Sequence, residues 1–427
     1  MGVLRKSLLL FLLLAACSSK LNAQYLITNT SHLDHLYQEI NVENRTMGII
    51  HIYSEYLDYK WVDDADEGIA CVDDVSRASV FYLKHFKLTN NRSSLHKVKA
   101  LTEFLLYMQS DNGWFYNFIW NDYSINKTFV TSLAIPNWWT WRALWALTES
   151  YPVLKELDEL QAKAILSAIN KTIDACKREY ASNVSTINID GFTRPQRFPF
   201  QTAADQAAIL SLGLTNYFKI TSDDAVIPLL EKMCRGILLM QEGDDITFPY
   251  GAFLSWQNMW HAYGNLQSYA LLKTYEVLKR DEYKNAALFE INNFYEYLID
   301  QKYLNEFVLT RSHGIALLSK SEIFPQIAYG IRPMIYASIT AYEIEGDKKY
   351  LEKALRIAAW FLGKNYPQSK MYDPITGRCF DGITSISDIN MNSGAESTIE
   401  ALLSLVELEK YPGSTEYLNK IMNLHTE

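Results

Sequence analysis

Twelve helical stretches that come in pairs constrain this chain more than any other feature. Apolar periodicity predicts helices over about 73–88, 93–109, 136–150, 154–180, 202–219, 222–240, 257–279, 281–300, 326–345, 347–364, 391–408 and 413–425. Within a pair the link is short, as in LTNNRSS, YPVL, ITSDD, KRDE, IEGDKK and KYPGST. Between pairs the connections are long (about 110–135, 181–201, 241–256, 301–325 and 365–390) and rich in aromatic, Gly, Asp and Arg residues. First members, such as AADQAAILSLGL, are apolar on several sides, whereas second members, such as DKKYLEKALRIAAWFL, carry one apolar stripe. The first pattern belongs to a buried helix and the second to a surface helix.

Six hairpins, each with one buried and one exposed helix, predict an all-α (α/α)6 toroid over residues 61–427, with inner and outer helix rings. An open superhelix of stacked pairs is the alternative, but it uses shorter repeats and tight loops on both sides. Connections as long as these are uncommon unless they are functional. The toroid gathers them at one end, at the N-termini of the inner helices, where they build a cleft. Residues 24–60 precede the first hairpin and are expected to supply a helix and a short extended piece packed on the toroid.

The N-terminus reads as an export signal, residues 1–23: MGVLRK is the positive region and SLLLFLLLAA the apolar run. That run is too short for a permanent membrane span. LAAC resembles the bacterial lipobox, which makes Cys17 the lipidated first residue; the competing cleavage after Ala23 releases a soluble protein. The expected location is therefore the outer membrane, through a lipid anchor only, or the periplasm or exterior. Cys71, Cys176, Cys234 and Cys379 are widely spaced and form no Cys/His cluster, so neither zinc nor a disulfide framework is expected. The net charge is −9, and −11 once Arg5 and Lys6 are removed, with no basic cluster. Nucleic acid is thereby an unsuitable partner. No cofactor is expected, and the protein is expected to be a monomer that meets an oligo- or polysaccharide.

That last expectation rests on carboxylates and aromatics. Asp73 and Asp74 open the first hairpin with Arg77 one turn on, Asp205 opens the third, and Glu396 opens the sixth. Each has a structural explanation as a helix cap or dipole partner. Ser393-Gly394-Ala395-Glu396 in particular fits a capping box. Capping does not, however, predict carboxylates on hairpins one and six, which are neighbours in a closed ring. Glycosidic cleavage needs an acid for the leaving oxygen and a base or nucleophile on the other face, roughly 6.5–9.5 Å apart in inverting enzymes. Trp138, Trp139 and Trp141 open the second hairpin, and Trp256, Trp260, His261 and Tyr263 the fourth. Flat rings with polar edges suit sugars, although Trp at helical spacing also serves as core, as expected of Trp145. Arg142, Tyr329, Arg332 and His313 complete the polar candidates. They keep open a rival chemistry, proton abstraction beside a uronate carboxylate by a lyase or epimerase. A third possibility is a non-catalytic glycan-binding lipoprotein.

At CVDDVSRA and NSGAESTIEALL the chain resembles the six-hairpin glycosidase superfamily. Toroid domains beside or fused to bacterial glycosyltransferases and mannoside-processing enzymes carry similar segments, and glycoside hydrolase family 9 is similar in layout. The resemblance implies that Glu396 is the general acid and Asp73 or Asp74 the base that activates water. It also places Asn392 at the Asn preceding the acid, and Asp381 of DPITGRCFDGI in a loop near the cleft. The family 9 D-A-G-D motif is absent, and DDVSRA is only its positional counterpart.

Overall fold

The computed structural model describes residues 26–181 and 185–423. The segment read as an export signal, with Cys17 and both expected cleavage points, lies outside the described residues. Thirteen α-helices occur within them: α1 (Ser31–Leu36), α2 (Val72–Thr89), α3 (Arg92–Tyr107), α4 (Trp138–Leu154), α5 (Glu159–Glu179), α6 (Ala204–Thr221), α7 (Ile227–Leu238), α8 (Gln267–Leu278), α9 (Asp281–Asp300), α10 (Ala328–Glu345), α11 (Lys348–Ala358), α12 (Ala395–Leu408) and α13 (Ser414–Asn423). Helices α2, α4, α6, α8, α10 and α12 each pack on the next, and α12 packs on α2, so the ring closes. Helices α3, α5, α7, α9 and α11 pack back on their partners, and α13 packs on α11. The chain is an (α/α)6 toroid.

Local sequence explains the hairpins. Asn90, Ser222, Lys279 and Gly346 end α2, α6, α8 and α10 in the left-handed conformation, each returning its N–H to a carbonyl four residues back. Outer helices restart at once on side-chain caps: Asn91 accepts from Ser93 and Ser94, Asp158 from Gln161, and Asp347 from Lys349. Inner helices are buried nearly all round, as the run Ala328–Ala341 shows.

The fourth inner helix departs from expectation. It begins at Gln267, not near 257, because Met259–His261 forms a strand paired with residues 306–308 of a hairpin, Glu306–Ser312 with Ile315–Glu322. A second hairpin, Ser185–Ile189 with Phe192–Gln196, occupies another long connection. Both turn on two left-handed residues, Asp190-Gly191 and His313-Gly314. Asp-Gly between alternating residues is a strong short-range hairpin signal, and in the second turn Gly314 supplies one of the two left-handed positions.

Residues 26–60 comprise α1, which packs on α12, and a hairpin, Tyr37–Val42 with Arg45–Ile50, whose second strand lies on α3. Leu33, Leu36, Met47, Ile49 and Ile50 join the toroid core. Glu409 just beyond α12 accepts hydrogen bonds from Thr28 N (2.8 Å) and Thr28 Oγ1 (2.7 Å).

One buried carboxylate joins a long connection to the ring. Glu290 on α9 accepts from Phe253 N (2.8 Å) and Ser268 Oγ (2.6 Å). Burial pushes its carboxyl from 4.5 up to about 7, against those hydrogen bonds. A raised carboxyl holds its proton in the folded state, so its contribution is full below about 4.5 and is lost as pH rises through about 7. Glu290→Gln, neutral at every pH, is expected to match the wild type at pH 4 and exceed it above pH 7 by up to roughly 3 kcal/mol. Denaturant midpoints at the two pH values check this, and an unchanged difference between them refutes it.

Candidate active site

The N-terminal ends of four inner helices meet at one cleft of about 320 Å³. Asp73, Trp138, Tyr329 and Glu396 line it, each the first or second residue of its helix, together with Arg142, Trp139, Tyr263 and Glu67. Helix starts carry unpaired N–H groups and a positive dipole end, which favours carboxylates there. The neighbouring helices α2 and α12 thus bring Asp73 and Glu396 to the same opening.

Glu396 is not part of a capping box. Gly394 is the N-cap of α12, and no side chain of its own caps the helix. Ser393 is buried, and its hydroxyl meets that of Thr398 (3.2 Å). The backbone N–H groups of Ser393, Gly394 and Ala395 are satisfied from elsewhere. Asp381 Oδ1 accepts from Gly394 N (2.8 Å) and Ser397 Oγ (2.7 Å), while the Ile52 and Ser54 carbonyls accept from Ala395 N and Ser393 N. This frees Glu396, whose side chain is 43% exposed, to turn toward the cleft with Oε2 on Arg77 Nη1 (2.9 Å). Nor is Asp73 the cap of α2. Cys71 takes that role, its sulfur accepting from Asp74 N.

Behind the cleft lies a buried ionic cluster. Arg77 reaches Asp74 (2.6 Å), Glu396 (2.9 Å) and Glu400 (3.2 Å), and Glu400 also pairs with Arg332. Arg142 pairs with Asp73 (2.5 Å) and donates to the Tyr329 hydroxyl (2.5 Å). The Tyr329 ring carries Arg77 and Arg142 at 5.1 Å each and Arg332 at 5.7 Å. Four carboxylates thus face three guanidiniums. Burial disfavours the Arg77 charge, yet Glu396, Asp74 and Glu400 outweigh it and hold the group well above its ordinary range. Burial pushes Asp74 up to about 6, against the pull of Arg77. Of the cluster's carboxylates, Asp74 is thus shifted toward taking up a proton as pH falls through about 6. Burial likewise raises the Tyr329 phenol despite its arginines, so it stays protonated at neutral pH.

Other expected site residues take different places. Asp74 and Arg332 are buried in the cluster and do not line the cleft. Asp205 and His261 form a buried pair (2.9 Å), and the second His261 ring nitrogen meets the Tyr263 carbonyl (2.9 Å). Both ring nitrogens are occupied, and the ring stacks on Tyr263 at 3.7 Å. Trp260 is core, stacked on Phe307 and edge-on to Phe294. Trp139 is almost buried, with its indole N–H on the Phe115 and Leu133 carbonyls. Asn392 accepts from Tyr56 N (3.0 Å) and Asp381 caps α12, so both hold the frame around Glu396. His313 sits exposed at a hairpin tip.

Glu67 was not singled out in the sequence, whereas Tyr263 was, among the aromatics around the fourth hairpin. Glu67 is tied to Tyr53 Oη (2.6 Å), and its place in a turn gives no local signal. Gly264 does carry one: at φ +69° a Cβ there meets the Tyr329 hydroxyl at 2.9 Å and the Trp138 ring at 3.0 Å, so only glycine lets this wall close. Cys71, Cys176, Cys234 and Cys379 are buried and unpaired. Among the described residues no group of three His, Cys, Asp or Glu could hold a metal.

No family model matches the chain, and no curated protein matches it by sequence. Solved structures do resemble it. The cellobiose 2-epimerase from Bacillus thermoamylovorans B4167 superposes with a TM-score of 0.62 at 12% identity, covering 90% of this chain and 96% of the other. A family 76 glycoside hydrolase from a bovine Bacteroides thetaiotaomicron strain gives 0.53 at 11%, covering 87% and 75%. The family 9 endoglucanase J30 gives 0.51 at 11%, covering 90% and 83%. The chain has the (α/α)6 toroid fold found in these glycosidases and sugar epimerases. At such identities the likeness speaks for the fold alone.

Proposed function

We propose that this protein is a glycan-processing enzyme, and within that class an inverting glycoside hydrolase. The observation that carries the reading is the pair Asp73 and Glu396, set on adjacent helix starts and lining one cleft. Glu396 Oε1 has no partner among the described residues and serves as the acid for the leaving oxygen. Asp73 Oδ1 is held by Arg142, leaving Oδ2 to orient and deprotonate the attacking water. Trp138 and Tyr263 offer ring faces to the sugar. Arg77 positions Glu396, and its charge is already shared with Asp74 and Glu400.

A sugar epimerase or a lyase is the second reading, favoured by the Tyr329–Arg142 contact at the cleft. Against it, Tyr329 is held as a phenol and both His261 nitrogens are occupied, which leaves neither as a ready base. A non-catalytic binding lipoprotein fits the aromatics but leaves the carboxylate pair without a role.

The test is incubation with plant, algal and host glycans, followed by product analysis. The expected result is new reducing ends whose first-formed anomer, seen by proton NMR, is inverted. An unsaturated product absorbing in the ultraviolet identifies a lyase. Solvent deuterium entering the sugar without cleavage identifies an epimerase. The reading includes action outside the cytoplasm, in keeping with the leading segment and its Cys17, and fractionation of producing cells checks it.

A further inference from the structure

We infer that the same loop face carries a second sugar-binding site, a distal platform built on Phe200, so that the substrate is a chain extending well beyond the bond cleaved. This rests on the hydrolase reading above. A second cleft of about 460 Å³ is lined by Pro136, Tyr180, Ile187, Arg197, Phe200 and Gln201, among others. Pro136 belongs to one cleft, and Trp138 and Trp139 to the other, so the short segment before and at the start of α4 is their common wall.

Three features of this cleft suit a sugar. Phe200 is 59% exposed, although burying such a ring is worth roughly 1.5–3 kcal/mol. Arg197, Phe200 and Gln201 all adopt left-handed backbone (φ +54°, +41° and +70°), a conformation that costs energy for a residue as bulky as Phe. The chain thus holds the ring outward at a cost instead of folding it in, a pattern typical of binding sites. The ring lies beside Trp256, 5.9 Å between centroids. Finally, the Gln196, Arg197 and Gln201 side chains around it make no hydrogen bond or ion pair with other described residues. An aromatic face rimmed by uncommitted planar amide and guanidinium donors is the chemistry that binds a pyranose, apolar on its C–H face and polar at its edge.

Phe200→Ala tests this, since an exposed ring can be removed without opening a cavity, and an unchanged melting temperature confirms that the fold is kept. Turnover is measured on cello-, xylo-, manno- and malto-oligosaccharide ladders from disaccharide to hexasaccharide, by wild type, Phe200→Ala and Glu396→Gln. The expected result is a roughly tenfold loss of kcat/KM on the hexasaccharide, from about 1.4 kcal/mol of lost contact, with the disaccharide unaffected. Equal effects at both lengths, or none, overturn the platform even if Glu396→Gln is inactive. Full activity of Glu396→Gln with a length-dependent Phe200→Ala defect sinks the acid assignment and leaves the platform standing. Absence of turnover of every ladder by the wild type overturns both.

Discussion

Glu396→Gln is expected to lower kcat on the true substrate by roughly 10²–10⁴-fold, the usual weight of a general acid, with little change in melting temperature. The amide keeps an oxygen for Arg77 and the same shape, and the side chain is 43% exposed, so no buried group is orphaned. What is lost is a transferable proton at Oε1. Capping makes no contribution to the expected phenotype, because the Glu396 side chain bonds Arg77, while Asp381 and the Ile52 carbonyl accept from Gly394 N and Ala395 N. Asp73→Asn should fall comparably through loss of the base. Asp74→Asn should fall less, because Asp74 acts only by positioning Arg77. Steady-state rates and melting curves on the three variants decide the matter. If Glu396→Gln retains full activity, the acid lies elsewhere; if it melts several degrees lower with activity intact, the carboxylate is structural.

The second large effect is on stability. Arg77→Met removes a buried cation from between Asp74 and Glu400, both themselves buried, and from Glu396. Breaking a buried ion pair from one side typically costs 3–5 kcal/mol, since the partner charge is left uncompensated. A loss of about that size is expected at neutral pH. It should shrink as pH falls below about 6, where Asp74 takes up its proton and needs the cation less. Arg77→Lys should recover only part, because one ammonium cannot reach three carboxylates as a planar fork does. Denaturant titrations at pH 5 and pH 8 give both the magnitude and the sign. A loss that is equal at the two values removes Asp74 from the account.

Most of the scaffold was legible from periodicity alone, because helices apolar all round must be inside and striped helices must cover them. The miss at the fourth hairpin is instructive. WQNMWHAYG has the ring-bearing residues of a helix face, yet Met259–His261 is a strand because its partner hairpin lies some fifty residues on. Local pattern carries no record of a partner that distant. The turn Asp190-Gly191 was a legible sign of strand within a connection read as a loop, whereas His313-Gly314 carried a weaker one.

The site divided along the same line. Asp73, Trp138, Tyr329 and Glu396 could be placed in one cleft from their positions at helix starts plus ring closure. Ser393 and Glu396 matched a capping box by spacing, but a capping box is only one way to satisfy helix N–H groups. Residues 52–54 and Asp381 took the N–H groups of Ser393, Gly394 and Ala395 instead.

By itself the sequence determined the number of helix pairs, which member of each pair is buried, and the end of the ring at which the carboxylates gather. These follow from composition and spacing within single helices, where neighbours in the chain are neighbours in space. Only the tertiary structure decided what each carboxylate does. Asp381 caps, Asp74 pairs with Arg77 behind the cleft, Asp205 is shut in with His261, and Asp73 and Glu396 face the opening. The difference is set by desolvation and by guanidiniums from other helices, quantities that exist only once the ring is closed.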